Sequence, residues 1–277
     1  MPTRDELRAR GRAALLAAGI PLPALDADVL LAHVVGVGKE ALVAYPEAAV
    51  QPDAEERYDA LVARRAGGEP VAYLRGYREF YGITFGVDAR VLIPRPETEI
   101  LVDAVRAFAA SRPLTMVDVG TGSGAIAIAL ARHEPGLRII ATDVSADALA
   151  VARDNAAANG VAARIAFRQG DLLGPVTEPV DIVAANLPYL RADALADLSP
   201  DRAALTFEPR IATVAGTDGL DLIRRALADL WRVLAPGGAA FFECDPPQVD
   251  RIRELAGRPV RVLTDLAGSD RVVVIGP

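Results

Sequence analysis

The sequence predicts an α/β protein, a mostly parallel seven-stranded sheet with helices on both faces, preceded by a small helical module. Three observations predict it. From residue 114 onward short apolar runs alternate with segments of helical period, the pattern of consecutive βαβ units. The first 75 or so residues show helical spacing and no strand alternation. Hydrophobic residues make up 52% of the 277 and charged residues 24%, which suits a sizeable core and not a disordered chain.

Taken in order, Thr3 and Glu6 have capping-box spacing, and Leu7, Ala14, Leu15 and Ala18 recur at helical intervals until Gly19. Pro21 and Pro23 set off a second helix near 25–35. Pro52 opens a third, carrying Tyr58, Leu61 and Val62 as far as Gly67-Gly68, and Glu69-Pro70 starts a short fourth. Arg78 to Tyr81 and Ile83 to Phe85 flank Gly82 as a hairpin. Pro94 and Pro96 then force an extended segment, and Pro96 suits the first turn of a helix reaching about 110. The seven sheet strands fall at 114–119, 138–142, 164–168, 181–185, 238–244, 260–263 and 271–275. Helices at 123–133, 145–159, 219–234 and 247–256 separate them, with a longer loop after the fourth strand. Trp231 reads as part of a buried helix face, Cys244 as core, and His33 and His133 as helical residues without partners.

Composition narrows the function. A net charge of −7 provides no global positive field to draw the protein onto nucleic acid or an anionic membrane. Only Lys39 among the 30 basic residues is a lysine. One cysteine and two histidines exclude a disulfide framework and cysteine- or histidine-rich metal sites; only carboxylates could hold a metal, and none is expected. No uncharged run approaches the ~18–20 residues of a membrane span, and the acidic N-terminus is no secretory signal, so a cytoplasmic location is expected.

Ligands on such sheets bind beyond the carboxyl ends of the strands, where strand order reverses. The first strand ends in Asp118-Val119-Gly120-Thr121-Gly122-Ser123-Gly124. Its alternating glycines allow a tight turn and close approach of a ligand, with helix N-terminal amides facing it. Gly120, Gly122 and Ala125 also satisfy the dinucleotide pattern, so the loop alone leaves the nucleotide open. Two features favour S-adenosylmethionine. Asp118 precedes the glycines, where a carboxylate can hold the loop or meet a cationic ligand end, and the series closes in two adjacent strands, not a second dinucleotide half. Asp143 ends the second strand, where a carboxylate can accept both ribose hydroxyls or cap the helix near Ser145. Asp171 and Leu172 end the third, placed for an adenine amino group and ring, or for a surface turn. Arg95 and Glu97 stand where they can close the cleft.

The fourth strand ends in Asn186-Leu187-Pro188-Tyr189, which resembles the Asn-Pro-Pro-Tyr signature of methyltransferases acting on planar amino groups, adenine in nucleic acid or glutamine in proteins. Glu69 to Leu74, Arg78-Glu79-Phe80, Ile93 to Glu99 and Phe207-Glu208-Pro209-Arg210 together resemble the protein-(glutamine) N-methyltransferases, over nearly the whole chain. The resemblance implies a Rossmann-like methyltransferase domain at 96–277, a hairpin linker at 77–95 and a helical substrate-recognition domain at 1–76. It implies S-adenosyl-L-methionine as cofactor, held by Asp118, Gly120, Thr121, Gly122, Ser123, Gly124, Asp143, Asp171, Leu172 and Asn186. It makes Asn186, Leu187, Pro188 and Tyr189 the catalytic set and the Gly-Gly-Gln glutamine of a peptide-chain release factor the substrate, for an enzyme expected to be monomeric with no direct nucleic-acid partner. Leu187 replaces the family's first proline, keeping the backbone carbonyl with less rigidity.

Overall fold

The computed structural model describes residues 1–194 and 203–276. The chain forms two compact units, one holding Met1–Tyr77 and the stretch ending at Phe207, the other Arg78–Ala194 and the chain from Glu208 onward. Part of the loop expected after the fourth strand (195–202), and Pro277 at the end of the 96–277 domain, lie outside the described residues.

The first unit is helical: α1 (Arg4–Ala17), α2 (Pro23–Val35), α3 (Lys39–Ala44), α4 (Pro52–Ala66) and α5 (Val71–Arg75). The Thr3–Glu6 capping box forms in both directions, Thr3 N–H to Glu6 at 2.7 Å and Glu6 N–H to Thr3 Oγ1 at 3.2 Å. Pro23 and Pro52 open α2 and α4, where the absent N–H costs no hydrogen bond. Leu7, Leu15, Leu30, Leu31 and Tyr58 fill the core. Arg65 spans the end of α4: its Nε donates to Asp26 at 2.8 Å, and its Nη1 donates to the carbonyls of Gly68 and Glu69. Helix α3 has no counterpart in the sequence reading. It is six residues long with only Leu42 buried, too short to display a period.

The second unit carries the hairpin β1 (Tyr77–Phe80, from Arg78 on) and β2 (Ile83–Gly86), then α6 (Thr98–Ala109). The sheet strands are β3 (Thr115–Val119), β4 (Arg138–Asp143), β5 (Ile165–Gln169), β6 (Val180–Ala185), β7 (Leu234–Glu243), β8 (Val260–Thr264) and β9 (Asp270–Ile275). Helices α7 (Ala125–His133), α8 (Ala146–Ala158), α9 (Asp221–Val233) and α10 (Val249–Ala256) connect them. The order is β5-β4-β3-β6-β7-β9-β8, with β9 antiparallel to both neighbours and the rest parallel, the mostly parallel seven-stranded sheet expected. Strand β3 lies between β4 and β6, so the order reverses there and opens a crevice at the carboxyl ends of β3 and β6. Val117, Val119, Ile140, Val183, Ala240 and Phe242 are buried in the layer beneath it.

Three local readings are corrected. Strand β7 begins at Leu234, four residues before Gly238, because Val180 pairs with Leu234 and Ile182 with Ala239, and the irregularity absorbs Pro236 and Gly237. Trp231 is 44% exposed beneath the Arg258 guanidinium, since the buried stripe of α9 runs through Ile223, Ala226, Leu227, Leu230 and Val233. His33 and His133 each face a tyrosine ring, Tyr77 and Tyr81, with centroids 6.2 and 5.1 Å away. Cys244 is buried, as expected.

Candidate active site

The crevice opens into a cleft of about 270 Å³. Gly120, Thr121, Gly122, Ser123, Asp143, Asp171, Leu172, Asn186, Leu187 and Pro188 all line it, together with Arg95 and Thr98. Asp118, Gly124 and Tyr189 stand behind the walls and are not among the lining residues.

The glycine loop is built from below. Asp118 is fully buried; its Oδ2 accepts the Thr121 hydroxyl at 2.6 Å and the Ala127 N–H at 3.2 Å, clamping both ends of the turn. Its Oδ1 is buried with no hydrogen-bond partner among the described residues. Burial, assisted by the Asp143 charge, pushes this carboxyl up to about 7 against the pull of its two hydrogen bonds. Gly120 and Gly124 are both left-handed, and each is fixed by a neighbour. A Cβ at Gly120 would sit 3.1 Å from Leu187 Cδ2, and one at Gly124 would sit 2.8 Å from Ile128 Cδ1. The first glycine admits Leu187 beside the loop; the second lets α7 pack.

Asp143 closes the opposite wall. Its Oδ2 accepts the Gly122 N–H and its Oδ1 the Ser145 N–H, both at 2.9 Å. The cap of α8 is Ser145 itself, through Ala148 N–H at 3.2 Å, so Asp143 is not needed as the helix cap. Each carboxylate oxygen keeps a lone pair for a ligand hydroxyl. Asp171 is already engaged, ion-paired with Arg225 at the cleft edge. The next residue, Leu172, has positive φ, and its carbonyl accepts the Thr142 hydroxyl.

Asn186 follows β6 directly, and its Nδ2 donates to Thr98 Oγ1 at 2.9 Å. Its Oδ1 and the Leu187 carbonyl are the polar acceptors this segment can offer a ligand. Leu187 is 2% exposed, wedged between Gly120 and the core. Tyr189 is anchored through its backbone carbonyl, which accepts from Gln248 Nε2 at 3.0 Å, and burial holds its phenol above the usual range. Arg95 Nη2 donates to both oxygens of the fully buried Glu208 carboxylate, at 2.6 and 2.7 Å.

Sequence reasoning missed two residues here. Asn155, buried in α8, donates to the carbonyls of Ser123 and Gly86 and accepts the Gly86 N–H at 2.7 Å, tying the glycine loop to the hairpin. Glu243 ends β7 behind Asn186, 2% exposed. An asparagine within a helix and a glutamate after four apolar residues carry no motif, although the strand-end rule that found Asp143 also applies to Glu243. Among the described residues no group of three histidine, cysteine or carboxylate side chains could hold a metal. None of the described helices is long and apolar enough to cross a membrane.

The buried carboxyls make stability depend on pH. Burial raises Asp118 to about 7, Glu243 to about 7, and Glu208 in the same direction despite Arg95. Unfolded, such groups lose their protons near pH 4. Between those values the folded chain binds more protons than the unfolded one, so stability falls as pH rises. Carboxyls pulled down by arginines, such as Glu178 at about 2, act below this window. The ligand-free protein should therefore melt higher at pH 5 than at pH 8, by about 2–4 °C for each kcal/mol lost. Scanning calorimetry of the wild type and Asp118→Asn checks this; a Tm rising over that interval contradicts it.

Comparison with known proteins places the whole chain in one family. Residues 6–76 match the PrmC N-terminal domain family and residues 96–199 the Methyltransferase small domain family. The release factor glutamine methyltransferase of Moorella thermoacetica is 40% identical over 264 residues, covering 93% of this chain and 92% of that protein. Its counterpart from Cereibacter sphaeroides is 41% identical over 279 residues, covering 99% and 98%. A solved methyltransferase structure from Pyrococcus furiosus aligns with a TM-score of 0.52 at 15% identity, over 78% of this chain and 95% of that one, a likeness of fold alone. Similarity of this extent to proteins of one activity, over both units, means that the chain belongs to the release factor glutamine methyltransferase family.

Proposed function

We propose that this protein transfers a methyl group from S-adenosyl-L-methionine to the side-chain amide nitrogen of the glutamine in the Gly-Gly-Gln motif of a peptide-chain release factor. The observation that carries this reading is the Asn186–Thr98 hydrogen bond at the end of β6, which commits Nδ2 of a residue lining the glycine-loop cleft and leaves its Oδ1 as an acceptor. The donor set suits the cofactor. Asp143 offers acceptors for two ribose hydroxyls, Leu172 an apolar wall for the adenine, and the buried Asp118 carboxyl a support beneath the loop. When bound, the cofactor supplies a sulfonium-activated methyl group.

The chain's own contribution is placement. An amide nitrogen is a weak nucleophile because its lone pair is delocalised into the carbonyl, so an in-line displacement depends on alignment. Asn186 Oδ1 and the Leu187 carbonyl each accept one N–H of the glutamine amide, aim its nitrogen, and favour the positive charge that develops there. Pro188 stiffens the turn, and Tyr189, from behind the wall, holds the segment through its carbonyl bond to Gln248. The N-methylated amide then loses its extra proton to water, so no dedicated base is required.

In this reading residues 1–76 form the substrate-recognition domain, 77–95 the hairpin linker and 96–277 the catalytic domain of a monomeric cytoplasmic enzyme. A filter assay with tritiated cofactor tests it: label is expected in purified release factor and to vanish when the motif glutamine is replaced. Label only in DNA or RNA would instead make the planar amino group that of adenine, and the glutamine assignment would fall.

A further inference from the structure

We propose that Glu243 is a positioning residue for this reaction: acting through Thr98, it turns the Asn186 amide so that Oδ1, and not Nδ2, faces the substrate. The inference rests on the glutamine reading of the site.

Strands β6 and β7 run parallel with Ala185 opposite Phe242, so the residues that follow, Asn186 just past β6 and Glu243 at the end of β7, stand side by side. Thr98, 4% exposed at the start of α6, accepts at Oγ1 from Asn186 Nδ2 at 2.9 Å, and both Thr98 and Asn186 act on the neighbouring Glu243 carboxyl in the direction that favours its charged form. Asparagine is symmetric in shape, so only hydrogen-bond polarity decides which end of its amide points where. An ionised carboxylate only accepts. It draws the Thr98 hydroxyl hydrogen and the Asn186 Nδ2–H side of the amide toward itself, which leaves a Thr98 lone pair for the Nδ2–H it is seen to accept. Oδ1 is left for the incoming amide. A protonated or amidated side chain at 243 can donate instead, reversing the Thr98 hydroxyl and drawing Oδ1 inward.

Fold stability does not account for this carboxyl. Its Oε2 is buried without a hydrogen-bond partner among the described residues, a destabilising arrangement that a neutral side chain would avoid. Among the described residues the cation acting on it is Arg271, which is engaged with Asp265 at 2.9 Å. The other ionisable groups facing it are Glu97 ahead of α6, Tyr189 after β6 and the adjoining Cys244, none of which neutralises it. Burial raises Glu243 to about 7, so the relay has its required polarity above neutral pH and loses it as pH falls.

The test is a double-mutant cycle on the full-length protein with release factor as substrate. Glu243→Gln should lower kcat at least tenfold at pH 8 with cofactor Kd unchanged, and abolish the acid limb near pH 7 of the wild-type kcat profile. On an Asn186→Ala background the same change should have no further effect. A second readout needs no substrate. The Asn186 side-chain NH2 resonances should titrate with a midpoint near 7 in the wild type and not in Glu243→Gln. If Glu243→Gln does not fold, Thr98→Val cuts the same relay and should give the same cycle. Full kcat with the acid limb retained, or an equal loss in both backgrounds, would overturn the proposal, as would Asn186 resonances indifferent to pH. Failure to label release factor would sink the substrate reading, while the resonance titration still decides the relay.

Discussion

Asn186→Ala is expected to reduce kcat for release-factor methylation by ~10²–10³ while leaving cofactor affinity within about twofold. The magnitude follows from loss of one preorganised contact at a reacting centre, about 2.7–4 kcal/mol in comparable acyl-transfer sites. The selectivity follows from position. In the proposed site the cofactor is held chiefly by the β3 and β4 ends and by Asp171 and Leu172, whereas Asn186, which lines the same cleft, is held by Thr98 on α6. Removing the side chain leaves the glycine loop and its Asp118 and Asp143 supports in place. Single-turnover kinetics with saturating cofactor measure the first quantity and calorimetry the second. Wild-type turnover in this variant would show that the amide is held elsewhere.

Aspartate at 186 illustrates what the sequence alone does not disclose. Read from the motif, Asn186→Asp keeps an acceptor and places negative charge beside a nitrogen gaining positive charge, which argues for partial tolerance. In the folded protein the new carboxylate would adjoin buried Glu243, and two like charges there cannot both ionise readily. One would take a proton and become a donor, disturbing the polarity that Thr98 transmits. The expected result shifts from tolerance to a defect approaching that of alanine.

The same contrast runs through the whole molecule. The sheet was legible because strands buried on both faces read as nearly continuous apolar runs, and the loop and its acids because strand ends place them by rule. What stayed hidden are the contacts that join distant stretches of chain. Asn186 meets Thr98 across 88 residues, Asn155 meets Gly86 across 69, and Arg95 meets Glu208 across 113. Periodicity and spacing describe neighbours along one element, and cannot report which element packs against which. The segment Phe207 to Arg210 stood out only through family resemblance, and the Arg95–Glu208 ion pair shows what it meets: the proline-bounded segment around Arg95. Short α3 and the early start of β7 escaped for a local reason: one is under two turns long, and the other contains Pro236-Gly237-Gly238, which reads as a turn.

Asp143→Ala should abolish cofactor binding at concentrations that saturate the wild type, a loss of ~10²–10⁴ in affinity. Hydrogen bonds to a charged group contribute about 1.5–3 kcal/mol each, and two ribose hydroxyls would lose theirs together. The alanine also frees the Gly122 and Ser145 amides, which Asp143 holds at 2.9 Å, so the glycine loop loses a support as well as a ligand contact. Asp143→Asn separates the two effects. Its single oxygen can still take one amide, so the loop should be partly restored while one ribose acceptor is lost, placing its affinity between alanine and wild type. Asp171→Ala should cost less than either, because Asp171 is already paired with Arg225 and ligand binding must compete with that ion pair. Calorimetry with S-adenosylhomocysteine across the three variants gives the ranking directly, and NAD is the control, since the glycine loop alone would fit either nucleotide. Tight NAD binding in the wild type with no response to the sulfonium cofactor or its product would reverse the cofactor assignment, and unchanged affinity in Asp143→Ala would remove Asp143 from the site.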